Sequence, residues 1–318
     1  VQIVASPMTA TWVKTKWGDT YLTNENVFYR MLLIFGLSSY ESITGESTYH
    51  ALMAQQRASL ASELSAAKLN MLDDYPGECY PNDIVWAVAA IQRAARQDGT
   101  NHNDLVTSLL AVLDSPLNDE NGFPAFQVAS ASGTILQSSR GCGNSGMLSF
   151  AAELDPHTAT RWYRAYEAAF WKKTWWAVGF TEHPRGIKQT FSDVDSGPVV
   201  AEFGSVASAF GIGASKTVGR FDQAAPVTMQ AVACSWPTPF GPLVPGAMGA
   251  VAVKSWSLGE VALLFSMARP TYTPTTVPYE GPVPALVWFF VAGYAGVGVL
   301  FIGCEIRGCR RLLQKKRL

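Results

Sequence analysis

The sequence has few of the residues that build disulfide scaffolds or metal centres. It contains five cysteines in 318 residues, and three of them, Cys79, Cys142 and Cys234, precede the apolar C-terminal segment. Three is an odd number, so at least one of these thiols is free or forms a disulfide with another chain. The second case would make the protein an oligomer. The four histidines are scattered without the spacing of a zinc site, and we expect no metal.

Charged residues are scarce as well, at 15% of the chain against 48% hydrophobic residues. Residues 305–318 carry a net charge of +5, which leaves −6 for the rest of a chain whose formal net charge is −1. A negatively charged body repels the phosphate backbone of DNA and RNA. We therefore expect no nucleic acid among the partners.

One long segment lacks charge altogether. Residues 285–304, ALVWFFVAGYAGVGVLFIGC, could span the hydrocarbon core of a bilayer as a helix. Basic residues follow directly, so the positive-inside rule predicts a cytoplasmic tail and a body outside the cytoplasm. The alternative is a buried core helix with a solvated basic end. A strip of small residues at Ala292, Gly296 and Gly298 suggests contact with other membrane subunits.

Strand-like alternation is rare, apart from a possible hairpin around residues 123–136, whereas helical spacing is common. The predicted helices include residues 27–37, 49–64, 84–95, 105–112, 155–176, 196–219 and 247–268. Such paired helices with short turns predict an all-α fold, an α/α toroid with a cavity at one end. The small residues of 204–215 suit an inner helix. We divide the chain into a body (1–269), a proline-rich linker (270–284), a membrane helix (285–304) and a basic tail (305–318).

Residues 72–84, LDDYPGECYPNDI, concentrate four carboxylates in a chain that is poor in charge. Residues 75–78 are predicted to turn tightly, and the helix that follows begins near Asn82 or Asp83. A rigid turn at the start of an inner helix faces the mouth of a toroid. We therefore select Tyr75, Glu78 and Cys79 as candidate catalytic residues.

The same stretch has a purely structural interpretation. Asp83 would then cap the helix, and Asp73 and Asp74 would be solvated. Because neither interpretation is excluded, Asp83 is also a candidate for binding substrate.

Two further polar stretches precede predicted helices. Arg140 lies in SSRGCGNSG, and Asp193 and Asp195 lie in residues 183–198, where a helix dipole stabilises carboxylates. We select these three residues as candidates for substrate binding, with simple helix capping as the alternative. Cys142, beside Arg140, is better explained as a small core residue than as a nucleophile.

Four motifs occur in a fixed order: YPGECYPND, ELDPHTATRWYRAYEAAFW, DVDSGPVV and VASAFGIGASKTVGR. Together, over about residues 20–225, they resemble the bacterial linalool dehydratase–isomerase family and its membrane-attached relatives. The resemblance implies an (α/α)6 barrel and cofactor-free acid–base chemistry on a terpene alcohol or an alkene. It places a site tyrosine and cysteine near Tyr75 and Cys79. The family's earlier cysteine would fall on Asn70, and residues 26–30 lack its methionine and histidine.

Three functions follow from these observations. The first is a lyase or isomerase on the periplasmic side of the bacterial cytoplasmic membrane, with Tyr75 and Glu78 as acid and base. The second is a non-catalytic subunit of a membrane complex, held by its C-terminal helix. The third is glycan processing, which needs a carboxylate pair such as Glu78/Asp193 or Asp83/Asp195 across a cleft. An open acidic cavity would favour an enzyme, and a centre plugged by aromatic residues would favour the subunit.

Overall fold

A computed structural model of the chain describes residues 11–187, 193, 195–238, 241–243 and 258–315. This part is mostly helical, as the sequence predicts. The helices are α1 (Thr11–Trp17), α2 (Val27–Thr44), α3 (His50–Ala66), α4 (Pro81–Gln97), α5 (Asn103–Asp114), α6 (Gly141–Leu154), α7 (Pro156–Phe170), α8 (Ser205–Thr217), α9 (Phe221–Ala233), α10 (Leu258–Ala268) and α11 (Ala285–Lys315), with a 3-10 turn at Gly18–Thr20.

The strands are short and pair as four antiparallel hairpins within the described residues. They are β1 (Gln127–Val128) with β2 (Ile135–Gln137), β3 (Trp171–Lys173) with β4 (Val178–Phe180), β5 (Val199–Val200) with β6 (Phe203–Gly204), and β7 (Trp236–Thr238) with β8 (Gly241–Leu243). The first of these is the hairpin predicted around residues 123–136.

Local signals set several helix ends. Helix α2 ends at Gly45, whose φ of 72° is left-handed and whose N–H donates to the carbonyl of Glu41. Helix α7 begins after Asp155, whose carboxylate accepts a hydrogen bond from the Thr158 N–H, and Pro156 occupies the first turn. Both ends are where the sequence predicts them.

Two predicted helices have different bounds. The helix predicted through residue 176 ends at Phe170, because residues 171–173 pair with residues 178–180 as a hairpin. The helix predicted from residue 196 begins at Ser205, because the β5–β6 hairpin occupies residues 199–204. Most of the helix predicted over 247–268 lies outside the described residues, and its described part is α10.

The even-numbered helices pack in chain order, α2 on α4, α4 on α6, α6 on α8 and α8 on α10. Each of α2, α4, α6 and α8 also packs against the odd-numbered helix that follows it. Helices α4 and α6 are buried on almost every side, which is the pattern of an inner layer. This arrangement brings the N-terminal ends of the even-numbered helices to one end of the body.

Glycine and alanine allow this packing at α8. A Cβ added at Gly211 would lie 2.3 Å from the Phe180 ring, and one at Gly213 would lie 2.9 Å from the Ser149 hydroxyl. Neither position has room for a side chain. The small residues of α8 are therefore explained by close contact with α6 and β4.

Helix α11 lies apart from the core. Its residues Ala285–Arg307 are long and apolar enough to cross a membrane, with a mean hydropathy of 2.2, and none of that window is buried in the body. The alternative of a buried core helix therefore does not hold. The segment could act as a membrane anchor, and the side of the membrane on which the body lies stays a prediction.

Candidate functional site

The candidate residues gather where the even-numbered helices begin. The Val27 N–H of α2 donates to the carbonyl of Asp73 at 3.3 Å, and the Gly141 N–H of α6 donates to the carbonyl of Glu182 at 2.8 Å. The Val206 N–H of α8 donates to the carbonyl of Ser196 at 3.3 Å. These backbone contacts tie the loops that carry the candidates to the starts of three helices. We call this region the polar end; it contains Asp74, Tyr75, Glu78, Asp83, Arg140, Glu182, Asp193 and Asp195.

The predicted tight turn at residues 75–78 is present. The Glu78 N–H donates to the carbonyl of Tyr75 at 2.7 Å, and the Asp73 carboxylate accepts from the Gly77 N–H at 2.7 Å. Gly77 has a φ of 82°, which favours glycine. The turn holds Tyr75 and Glu78 at the entrance to α4.

Tyr75 is half-buried, and its hydroxyl faces a group of acids. Burial raises the pKa of Tyr75 to about 12, and the charges of Asp83, Asp74, Asp195 and Glu78 add to the shift. The phenol therefore stays protonated at neutral pH and can donate a hydrogen bond. Tyr80, which donates to the Glu78 carboxylate at 3.0 Å, lies beside it.

Asp74 is fully buried, so the alternative that it is solvated is wrong. One carboxyl oxygen accepts from the Tyr80 N–H at 3.0 Å, and the other, Oδ1, lacks a hydrogen-bond partner. Burial, followed by the charge of Asp83, raises the pKa of Asp74 well above its ordinary value. Asp74 and Asp83 are neighbouring buried carboxyl groups, and it is unfavourable for both to be ionised. At least one of these two groups therefore holds a proton near neutral pH.

Asp83 lies in the first turn of α4 and keeps part of its surface accessible. Desolvation, and then the charge of Asp195, raises the pKa of Asp83 to about 7. The Asn82 amide donates to the Asp83 carboxyl at 2.8 Å. Asp83 is therefore a carboxyl that can gain and lose a proton near neutral pH.

Cys79 lies in the hydrophobic core, next to this group of acids. Its side chain is fully buried in the hydrophobic core, and residue 79 pairs with Val128 in an isolated bridge. Desolvation, with the nearby acids, raises the pKa of the Cys79 thiol above its usual range. A neutral, enclosed thiol is a poor nucleophile, and its predicted assisting role stays a prediction.

Arg140 is held between two acids. Its guanidinium donates to both Asp193 oxygens, at 2.8 and 3.1 Å, and its Nε donates to the Glu182 carboxylate at 2.9 Å. Although desolvation raises the pKa of Asp193, hydrogen bonds from Arg140 and Ser196 lower it to about 2. Arg140 and Asp193 therefore form a fixed ion pair between the starts of α6 and α8, which leaves Asp193 unsuited to donate a proton.

Glu182 is a member of the polar end that the sequence did not single out. Its side chain is fully buried, and its Oε2 has no hydrogen-bond partner. Desolvation raises the pKa of Glu182 to about 7, even though Arg140 opposes the shift. Its one sequence signal is an acid directly after the apolar strand β4.

Glycine brings the backbone around Glu182 close to helix α6. A Cβ at Gly141 would lie 2.1 Å from the carbonyl oxygen of Thr181. Cys142 is buried next to Glu182, and burial raises the pKa of the Cys142 thiol, which agrees with its predicted place as a core residue.

Asp195 completes the polar end from the loop that precedes the β5–β6 hairpin and α8. Its residue is exposed, and desolvation of the carboxyl, followed by the charge of Asp193, raises its pKa. Glu78 also contributes to that shift, so the two carboxylates lie close together. The structure thus brings Asp195 to Glu78, Tyr75 and Asp83, which are more than 100 residues away in sequence.

Below the polar end, aromatic side chains fill the space between the even-numbered helices. Ring centroids lie 4.8 Å apart for Trp86 and Phe150, 5.8 Å for Trp86 and Phe210, and 5.5 Å for Phe150 and Phe265. Phe35 lies 5.4 Å from Phe150. Each of α2, α4, α6, α8 and α10 contributes one ring, and all but Phe150 keep some accessible surface. We call these five residues the aromatic floor.

A cavity of about 300 Å³ opens beside Arg140. Its lining includes Glu120, Gln137, Arg140, His183 and Ile187. Among the described residues, Arg140 is the one predicted site residue that lines it. Tyr75, Glu78 and Asp83 are not among its lining residues.

Within the described residues, no group of three or more His, Cys, Asp or Glu side chains is placed to hold a metal ion. Comparison with known proteins finds no family that matches the sequence and no curated protein that is significantly similar to it. The chemistry of the polar end is therefore inferred from its own residues.

Proposed function

We propose that the chain is a membrane-anchored enzyme that performs cofactor-free acid–base chemistry on a small apolar alcohol or alkene. One observation carries the proposal: Asp83, a carboxyl with a pKa of about 7, and Trp86 of the aromatic floor are three residues apart on α4. Residues at this spacing share one helix face. A proton donor beside an apolar wall suits a substrate with one hydroxyl and a hydrocarbon body.

Dehydration illustrates how such a site would act. Asp83 gives its proton to the hydroxyl oxygen as the C–O bond breaks, and the oxygen leaves as water. A carboxylate, which is Glu78, Asp195 or Asp83 itself, then takes a proton from the neighbouring carbon, and the C=C bond forms. The carboxyl groups of the site therefore hold the same number of protons before and after the reaction. Tyr75, held neutral by its surroundings, would hydrogen-bond to the hydroxyl group.

The remaining expectations belong to the same proposal. The helix order supports an α/α toroid in which α2, α4, α6, α8 and α10 are the inner helices. The resemblance to the linalool dehydratase–isomerase family would give the same fold and reaction class. We place the body on the periplasmic side of a bacterial cytoplasmic membrane, anchored by α11.

The test is turnover of small tertiary and allylic alcohols by the full chain in detergent, followed by gas chromatography of the alkene. We expect Asp83→Asn to lower the rate by about 10²- to 10⁴-fold, the usual contribution of a general acid. In the unaltered chain the rate should fall as the pH rises above about 7, the pKa of Asp83.

Two further variants separate the candidate residues. Asp104→Asn, at an exposed position of α5, is the matched control and should keep full activity. Glu78→Gln should abolish turnover if Glu78 is the base, and normal turnover would remove it from the mechanism. Normal turnover in Asp83→Asn would refute the role given to Asp83.

The subunit interpretation has its own support. The aromatic floor occupies the centre of the inner helices, and the guanidinium of Arg140 is already bound by two acids. Both features agree with a body built for stability. If no alcohol is turned over while the anchored chain co-purifies with other membrane proteins through α11, the subunit function is preferred.

A further inference from the structure

The β3–β4 hairpin presents an exposed tryptophan at its tip. The Thr174 N–H donates to the carbonyl of Ala177 at 2.8 Å, and the Ala177 N–H donates back to the Thr174 hydroxyl at 3.0 Å. This closed turn leaves Trp175 88% exposed, whereas Trp176 packs edge-on against Phe203 at 5.8 Å. A large aromatic side chain held out of the body marks a contact surface.

The hairpin tip lies level with the start of α11. The Leu286 N–H donates to the carbonyl of Trp176 at 2.9 Å. Two residues further on, Trp288 is 61% exposed, and a cavity of about 260 Å³ lies between hairpin and helix. Its lining includes Lys173, Trp175, Tyr279 and Trp288. Tryptophan, tyrosine and lysine are the side chains that collect where a bilayer meets water.

A second contact lies deeper along α11. Helix α9 packs against α11, and the Tyr294 hydroxyl donates to the carbonyl of Ser235 at 2.8 Å. Tyr294 is eight residues beyond Leu286, which is about 12 Å along a helix. If the apolar part of α11 lies in the bilayer, the end of α9 must enter the leaflet beside it, to a depth that helix tilt reduces.

The sequence of this corner suits a lipid environment. The described residues of this corner, 231–238 and 241–243, include no Asp, Glu, Lys or Arg. Val232, in the last turn of α9, is 41% exposed. Strands β7 and β8 follow within this stretch and pair with each other. A charged segment in this position would be excluded from the leaflet, but this one would not be.

We propose that the body is seated in the membrane as well as tethered to it. The tip of the β3–β4 hairpin and the corner formed by α9, β7 and β8 enter the headgroup and upper acyl region of the leaflet that α11 crosses. The occupant of this surface is phospholipid. The inference rests on the anchoring role proposed for α11, and it does not depend on the proposed chemistry.

The test uses the full chain in bilayer nanodiscs, some of whose phospholipids carry bromine at the upper acyl carbons. Bromine quenches tryptophan fluorescence on contact. We compare four variants, Trp175→Phe, Val232→Trp, Trp288→Phe and Trp162→Phe; Val232→Trp puts a reporter at the exposed end of α9. Trp288 reports insertion of α11, and Trp162, which is 1% exposed in the core, is the control that lipid cannot reach.

We measure the emission that is lost when brominated lipid replaces ordinary lipid. This loss should shrink in Trp175→Phe by at least half as much as in Trp288→Phe, grow in Val232→Trp, and stay unchanged in Trp162→Phe. A smaller loss in Trp288→Phe alone would overturn the proposed seating and leave the anchor intact. An unchanged loss in Trp288→Phe would overturn both.

Discussion

At the scale of single residues, the surroundings of Asp83 disfavour the charged form of its carboxyl group. Its folded pKa of about 7 lies above the ordinary value of 3.8, so folding is favoured while the group is protonated. This stabilisation is complete below the unfolded pKa and is lost as the pH rises through the folded pKa. Asp83→Asn should therefore raise the free energy of unfolding by about 1–4 kcal/mol at pH 8 and change it little at pH 4.

Unfolding in urea, followed by tryptophan fluorescence in detergent at the two pH values, measures this difference. The exposed Asp104→Asn is the matched control, and its effect should be the same at both. Equal effects of Asp83→Asn at pH 4 and pH 8 would show that the folded protein does not raise the pKa of Asp83.

The positions of the candidate residues could be predicted where neighbouring residues in the sequence determine them. The turn at Tyr75 and Glu78 is encoded by Pro76 and Gly77. The expected capping role of Asp195 is wrong, because α8 begins only at Ser205 and its N-cap is Gly204, so the approach of Asp195 to the other acids was not predictable from capping. Glu182 was not predictable, because it is buried by Arg140, 42 residues earlier, and by the start of α8. Sequence spacing carries no sign of that contact.

At the scale of elements, replacing two helical glycines by alanine should change the stability of the protein in opposite directions. Gly36 lies on the exposed side of α2 with no atom within 4 Å of an added Cβ, so Gly36→Ala should stabilise the protein by about 0.5–1 kcal/mol. An added Cβ at Gly211 of α8 would overlap the Phe180 ring, which is fully buried. We expect Gly211→Ala to destabilise the protein by about 1–3 kcal/mol.

Thermal unfolding of the two variants tests the packing of α8 directly, since both substitutions place the same methyl group in a helix. A stable Gly211→Ala variant would mean that α8 does not lie against β4. A destabilised Gly36→Ala variant would instead point to an unrecognised partner on that face of α2.

The elements themselves were mostly readable from helical periodicity and caps, as at Gly45 and Asp155. The errors lie where a short hairpin replaces a helical turn, at residues 171–180 and 199–204. Each of these hairpins is held by contacts from a distant part of the chain. The Val178 N–H of β4 donates to the Gln230 side chain of α9 at 3.0 Å, and the Glu182 N–H donates to the carbonyl of Glu202 at 3.3 Å. Local propensity cannot anticipate such pairing.

At the scale of the whole molecule, the body and α11 are separable. None of the most apolar window of α11 is buried in the body, so a chain that ends at Pro284 keeps its hydrophobic core intact. A chain that ends at Cys304 keeps the apolar segment and loses the basic tail. These two truncations distinguish an anchor from a tail that binds lipid by charge alone.

Extraction of membranes at alkaline pH is the measurement. We expect the full chain and the chain ending at Cys304 to stay in the membrane pellet, because about 20 apolar residues resist removal by pH or salt. The chain ending at Pro284 should associate with vesicles at neutral pH through Trp175 and the α9 corner, and alkaline extraction should release it, since that contact lacks a span. Retention of the Pro284 chain at alkaline pH would place a second anchor within the body. Release of the Cys304 chain would show that residues 285–304 do not span the bilayer, and α11 would then act through its basic end.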